Sequence, residues 1–195
     1  NSLYKDIYNY FASDLNYCIS QLEFNEDGDV STELDVTEIS TLVIDSYDII
    51  DSDYFYRVDL KAKPMALASY IYREFQITGF TFAPFGEPTV NSLITSMELP
   101  LTIAHEIAHT KGVGREDDAN QTAFYICLNS DNVYLRFSAY AIYFYQISMI
   151  TSSTYMSKED RQELISVDNA YYLCRSYVYN YWKKHDLLSN IGDWG

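Results

Sequence analysis

The stretch Leu99-Pro100-Leu101-Thr102-Ile103-Ala104-His105-Glu106-Ile107-Ala108-His109-Thr110-Lys111-Gly112 decides how this chain is read. Pro100 suits a first helical turn, where its missing N–H costs nothing, and Gly112 suits the left-handed position that follows a helix. The pattern between them predicts a helix that begins at Pro100, runs through Thr110 and stops at Gly112. Leu101, Ile103, Ala104, Ile107 and Ala108 make it a buried one. Residues four apart share a helix face, so His105 and His109 present two imidazoles to one point, which is the spacing a single divalent cation needs. Glu106 lies beside the pair, where a carboxylate can take a proton from a water that zinc acidifies to a pKa of roughly 7. HExxH is therefore expected to bind Zn2+ through His105 and His109, with Glu106 as general base. Only three His occur in the chain and two fall in this motif, which separates them from scattered core or surface histidines.

A catalytic zinc takes three protein ligands and keeps its fourth position for water. In the metzincin pattern HExxHxxGxxH, Gly112 matches, but the third-ligand position holds Arg115, a cation, so that pattern is disfavoured. Glu116 follows at the start of a new helix, just past the Gly112 to Gly114 reversal, and is the favoured third ligand. Asp117 or Asp118 is the alternative, and all three acids also complement the helix dipole. Asn120 shares a face with Glu116 and is placed to hydrogen-bond the free ring nitrogen of a ligating His. Asn120-Gln121-Thr122 is formally a glycosylation sequon, a use disfavoured inside a helix beside a metal.

Outward from this centre the chain reads as mostly helical. Helices are expected at Leu3 to Glu23, Val36 to Ile50, Pro64 to Phe75, Glu116 to Asn129, Asn132 to Ile150 and Lys158 to His185. The acidic, Gly-containing stretch Asn25 to Asp29 breaks the first. Ile77 to Asn91, rich in β-branched and aromatic residues and punctuated by Gly79, Pro84, Gly86 and Pro88, reads as the one convincing β region. No repeat or Pro/Ser linker divides the chain, and 195 residues with 48% apolar content suit one domain. A formal charge of −15 argues against nucleic acid and against anionic membrane surfaces. Cys18, Cys127 and Cys174 are expected as buried free thiols. The longest apolar run, Ser138 to Ile150, is too short to span a bilayer.

The stretch from Lys63-Pro64 through Gly79-Phe80, Pro84, Gly86-Glu87, Asn91, Leu99-Pro100, His105 to His109, Gly112, Arg115 to Asn120 and on to Arg136-Phe137-Ser138 resembles the bacterial domain of unknown function 3810 family. Arg115-Glu116-x-x-Ala119-Asn120 is also similar to the Arg-Glu-x-x-Ala-Asp signature of membrane-bound gluzincins such as the prenyl-protein endopeptidases, whose Glu is the third zinc ligand. Asn120 stands where that signature has Asp, and the gap from His109 to Glu116 is shorter. The resemblance implies an α+β, mostly α, zincin-like (gluzincin) fold with a small sheet beside the active-site helix. It also implies a membrane anchor outside residues 1–195 and a domain held outside the cytoplasm of a bacterium, with a peptide or protein as substrate. Ile77 to Asn91 would then hold the edge strand to which an extended peptide adds. A zincin benefits from a donor to the oxyanion, and Arg136 and Tyr140, four apart on one helix face, are the candidates, with Tyr134 or His185 as substitutes. Zinc-dependent peptide hydrolysis is the leading expectation. Its rivals are a zinc-binding sensor without turnover and a helical interaction module in which the motif is accidental.

Overall fold

Helical periodicity governs most of the chain, and the computed structural model, which describes residues 2–48, 55–65, 67–82, 86–151 and 154–187, is accordingly α+β and mostly helical. Asn1, Ile50 and Pro84 lie outside the described residues. Helix α1 (Ser2–Ser20) leads into a hairpin of β1 (Glu23–Phe24) and β2 (Val30–Ser31) and then α2 (Val36–Tyr47). Next come β3 (Lys63–Pro64), α3 (Ala68–Glu74), β4 (Gly79–Phe82) and β5 (Glu87–Val90). The chain continues with α4 (Leu99–Thr110), α5 (Glu116–Leu128), α6 (Val133–Ser148), a short 3-10 turn (Met149–Thr151), α7 (Lys158–Gln162) and α8 (Asn169–Lys184).

Three expectations need correction. Pro64 does not open a helix: Lys63 and Pro64 run parallel to Thr89 and Val90 at the edge of a sheet, and α3 begins only at Ala68. A proline lacks the N–H that a central strand must donate, and an edge tolerates it. The Asn25 to Asp29 stretch does more than end a helix. It turns the β1–β2 hairpin, with the Asn25 side chain accepting the N–H groups of Asp27 and Asp29 and Gly28 at φ +94°. Finally, Lys158 to His185 is two helices. The segment between α7 and α8 is held by two side chains of α1, each using its amide as donor and acceptor as a strand neighbour would: Asn9 bonds Glu163 O and Ile165 N–H, and Asn16 bonds Ser166 O and Asp168 N–H.

The core forms around α4. Its Ile103, Ala104, Ile107 and Ala108 are fully sealed, and the helix packs against α2, α5, α6 and the β4–β5 pair. Cys18, Cys127 and Cys174 are free and buried, as expected. The main sheet has the order β3-β5-β4, so β4 is an edge strand, antiparallel to β5 and lying along α4. Between β4 on one side and α5 on the other, α4 floors a cleft of about 800 Å³. Among the described residues no helix is long and apolar enough to cross a membrane.

Candidate metal centre

The two histidines leave α4 from one face and meet. His105 Nε2 and His109 Nε2 are 3.1 Å apart, and the carboxylate of Glu116, from the first turn of α5, lies 3.1 Å from the former and 3.4 Å from the latter. The reversal that brings α5 back is the one the glycines foreshadow. Gly112 takes φ +97°, its N–H bonds His109 O, and the Val113 N–H reaches back to Ala108 O, closing the helix with a left-handed cap. His109 Nδ1 sits 2.7 Å from the Val113 carbonyl, which can only accept, so Nδ1 carries the proton and a neutral His109 keeps its Nε2 lone pair for the cleft. Asn120, one turn after Glu116, lines the same cleft as His105 and acts on its ring to favour the protonated form.

This donor set fits a metal ion. Bonds of about 2.0–2.1 Å in a tetrahedral zinc site place neighbouring ligand atoms roughly 3.3 Å apart. Here the two Nε2 atoms are 3.1 Å apart, and Glu116 approaches them with different oxygens, Oε2 at 3.1 Å from His105 and Oε1 at 3.4 Å from His109. Two imidazole nitrogens and a carboxylate meet here, and these three residues form a group that could hold a metal ion. The His105 ring is held neutral, its pKa lowered by burial and by its neighbour His109 against the opposing pull of Glu116 and Asn120. Deprotonated imidazole is the form that ligates.

Glu106 is buried at the wall of the cleft. Thr81 on β4 donates its hydroxyl to Glu106 Oε2 at 2.8 Å. Burial pushes the Glu106 carboxyl up to about 7, with the Thr81 bond working against that rise. Gly79 accounts for how closely β4 approaches: a Cβ there would stand 2.8 Å from Glu106 Oε1 and 3.1 Å from Thr89 O. Strand and carboxylate can touch only because that position has no side chain.

A family model described as Protein of unknown function (DUF3810) matches residues 3–192. The chain belongs to the DUF3810 family. Comparisons with curated proteins and with solved structures gave no match.

In this DUF3810 chain the structure brings His105, Glu106, His109, Glu116 and Asn120 to one cleft. It does not bring Arg136 or Tyr140 there, which corrects their assignment as oxyanion donors. Arg136 Nη1 donates to Ser130 O at 2.6 Å, and the Tyr140 hydroxyl, on a buried side chain, donates to Asp14 on α1 at 2.5 Å. The substitutes are also engaged elsewhere, Tyr134 with Ser96 O and His185 with Glu74. Asp117 and Asp118 are not in the ligand cluster, whereas Glu116 is. Thr81, Gly79 and the Val113 carbonyl escaped the reading of the sequence. Gly79 carried a signal, as a glycine within a β-rich run marks a close backbone approach; Thr81 and a carbonyl carried none.

Proposed function

We propose that this domain hydrolyses peptide bonds with a zinc ion held by His105, His109 and Glu116. The observation that carries the reading is the meeting of these three ligand groups beside a buried carboxyl, Glu106, on the same helix, whose bond from Thr81 is neutral. Zinc, when bound, supplies a Lewis acid for the substrate carbonyl and acidifies water to a pKa of roughly 7. The residues of the chain do the rest. Glu106, near neutrality in its proton affinity, is matched to accept a proton from the attacking water and to deliver it to the leaving amine. Thr81 and the tight approach of Gly79 hold that carboxylate in one orientation. Asn120 and the Val113 carbonyl hold the two rings. Among the described residues β4 has a strand neighbour on one side only, and it lines the cleft, where an extended peptide can add as a further strand.

Zinc-loaded protein is expected to cut members of a mixed peptide library, and Glu106→Gln should keep one zinc per chain while losing at least about a hundredfold in rate. Cutting by the variant at the parental rate would remove Glu106 from the reaction. One observation favours a second reading, a zinc-binding sensor or binding ectodomain without turnover: no Tyr, Arg or Lys is among the described residues lining the cleft to steady an oxyanion. Stoichiometric zinc with no cleavage of any library member would select it.

A further inference from the structure

The cleft continues beyond the metal centre toward the start of α4, where Glu98 lines it together with Leu101, Thr102 and Thr78. Glu98, Leu101, Thr102, His105 and His109 recur at three- and four-residue steps, so one face of the helix runs from the carboxylate to the imidazoles. The Glu98 carboxylate is held in place: Trp182 Nε1 donates to both its oxygens at 2.9 Å, and Thr95 Oγ1 donates to Oε2 at 2.6 Å. These donors are neutral. They orient the group without cancelling its charge, and among the described residues Glu98 forms no ion pair with Lys, Arg or His. No Lys or Arg is among the described residues that line the cleft, while Glu106 and Glu116 add acidic groups to it. A carboxylate offers about four lone-pair directions, so two neutral donors leave room for a cation.

We propose that Glu98 is the specificity subsite of this cleft and takes the Lys or Arg side chain of a basic peptide. The inference rests on the peptide-cleft reading of the metal centre and adds the substrate class. A half-buried carboxylate with neutral donors and no cationic partner among the described residues is stabilised by a cationic ligand group and destabilised by an anionic one. Seven residue steps along the helix lead from Glu98 to His105, roughly 10 Å along the axis, which an extended peptide covers in about three residues. The preferred basic side chain therefore sits about three positions from the bond at the metal centre. The acidic surface, with a formal charge of −15, steers the same class of partner.

The test uses zinc-loaded protein and fluorogenic peptides in which one position at a time carries Arg, Lys, norleucine or Glu. At one position wild type is expected to favour Arg and Lys over norleucine by about tenfold in kcat/KM, with Glu poorest. Glu98→Gln should bring that ratio toward one while leaving ratios at other positions where they were, and Glu98→Lys should reverse it in favour of Glu. Ratios taken within one variant cancel any loss of folded protein. In parallel, anisotropy of labelled Arg-containing and norleucine-containing hexapeptides, measured on metal-free wild type and Glu98→Gln, reads binding without turnover. Basic peptides that bind through Glu98 while none is cut would uphold this subsite and overturn hydrolysis. Peptides cut and bound with no dependence on Glu98 would overturn the subsite and leave hydrolysis standing. Neither cutting nor Glu98-dependent binding would overturn both.

Discussion

The two ends of α4 are fixed in different ways. At the amino end the partners come from far along the chain and most are buried. Asp29, from the β1–β2 hairpin, accepts the N–H groups of Ser96 and Met97; Ser138, on α6, accepts from Leu101 N–H and donates to Met97 O; the Tyr134 hydroxyl donates to Ser96 O. At the carboxyl end, which faces the candidate metal centre, the bonds beyond that of Thr81 to Glu106 are local or made by a surface strap. Tyr56 N–H bonds Lys111 O, Lys111 Nζ reaches Val58 O at 3.0 Å and Asp59 at 3.1 Å, and the Lys111 ammonium lies 5.0 Å from the centre of the Tyr47 ring. Lys111 is buried, but the Asp59 side chain is 70% exposed, so the ion pair itself adds little. The amino end is thus bound into the global fold, and the end that carries the ligands depends on its own cap and a thin cover. Stability and ligand geometry should therefore respond to different substitutions.

The largest effect is expected at Asp29. Its carboxylate accepts three backbone N–H groups, those of Val30, Ser96 and Met97, and Asp29→Ala leaves buried donors without partners. Charge-assisted bonds of this kind suggest a loss of about 3 kcal/mol in urea unfolding. Zinc affinity per folded molecule should hold; a matching fall in affinity would mean that the two ends are coupled. Next comes Gly112→Ala. The position has φ +97°, and a Cβ would lie 2.8 Å from the Tyr56 ring, so cap and strap are both disturbed, at a cost of about 1–3 kcal/mol. Because Val113 O orients His109, zinc affinity should also fall, by roughly tenfold or more. Competition with a chelator of known affinity reads that loss. An unchanged affinity would show that the cap does not orient the ring.

How much of this was legible before folding follows from range. His105, Glu106 and His109 were readable because helical pitch alone puts residues four apart on one face, and Glu116 and Asn120 because a glycine-led reversal needs only local geometry. Arg136 and Tyr140 went astray for the complementary reason. Spacing shows that two side chains share a face of α6, but not which neighbour that face meets. Here it turns toward α1, where Tyr140 meets Asp14 and Arg136 meets Cys18. The break between α7 and α8 was hidden likewise, since Asn9 and Asn16 act across more than a hundred residues. Thr81 finds Glu106 across 25 positions and two strands. Pattern reading works where the chain is its own partner, and the anchors of α4's amino end are all of the other kind.

Lys111→Met sharpens the contrast at the carboxyl end. Methionine keeps most of the apolar stem beside Tyr47 and deletes the ammonium that ties the strap to Val58 O, so unfolding should change by about 1 kcal/mol or less. The strap packs Tyr56 over Gly112, and loosening it should still weaken zinc binding by several-fold. Zinc affinity and urea midpoint measured on the same preparation decide whether the smaller structural loss carries the larger functional one.

The smallest effect is expected from Glu98 at the amino end, and it shows as a slope against pH. Burial raises the Glu98 carboxyl above its ordinary value of 4.5, and the nearby Asp29 adds to the rise, while the bonds from Thr95 and Trp182 oppose it. An acid raised on folding contributes stability that is complete below the unfolded value and is lost as pH climbs through the folded one. Wild type should therefore lose stability relative to Glu98→Gln as pH rises above the ordinary value of 4.5. Glutamine still offers an oxygen to Trp182 Nε1–H but has no proton to lose. Taking the difference between the two proteins in chelator cancels the titrations they share, that of Glu106 included. A difference that stays flat across that range would mean that the carboxylate at this end is already compensated in the fold, and the contrast between a core-bound amino end and a lightly held metal end would then lose its electrostatic part while keeping its hydrogen bonds.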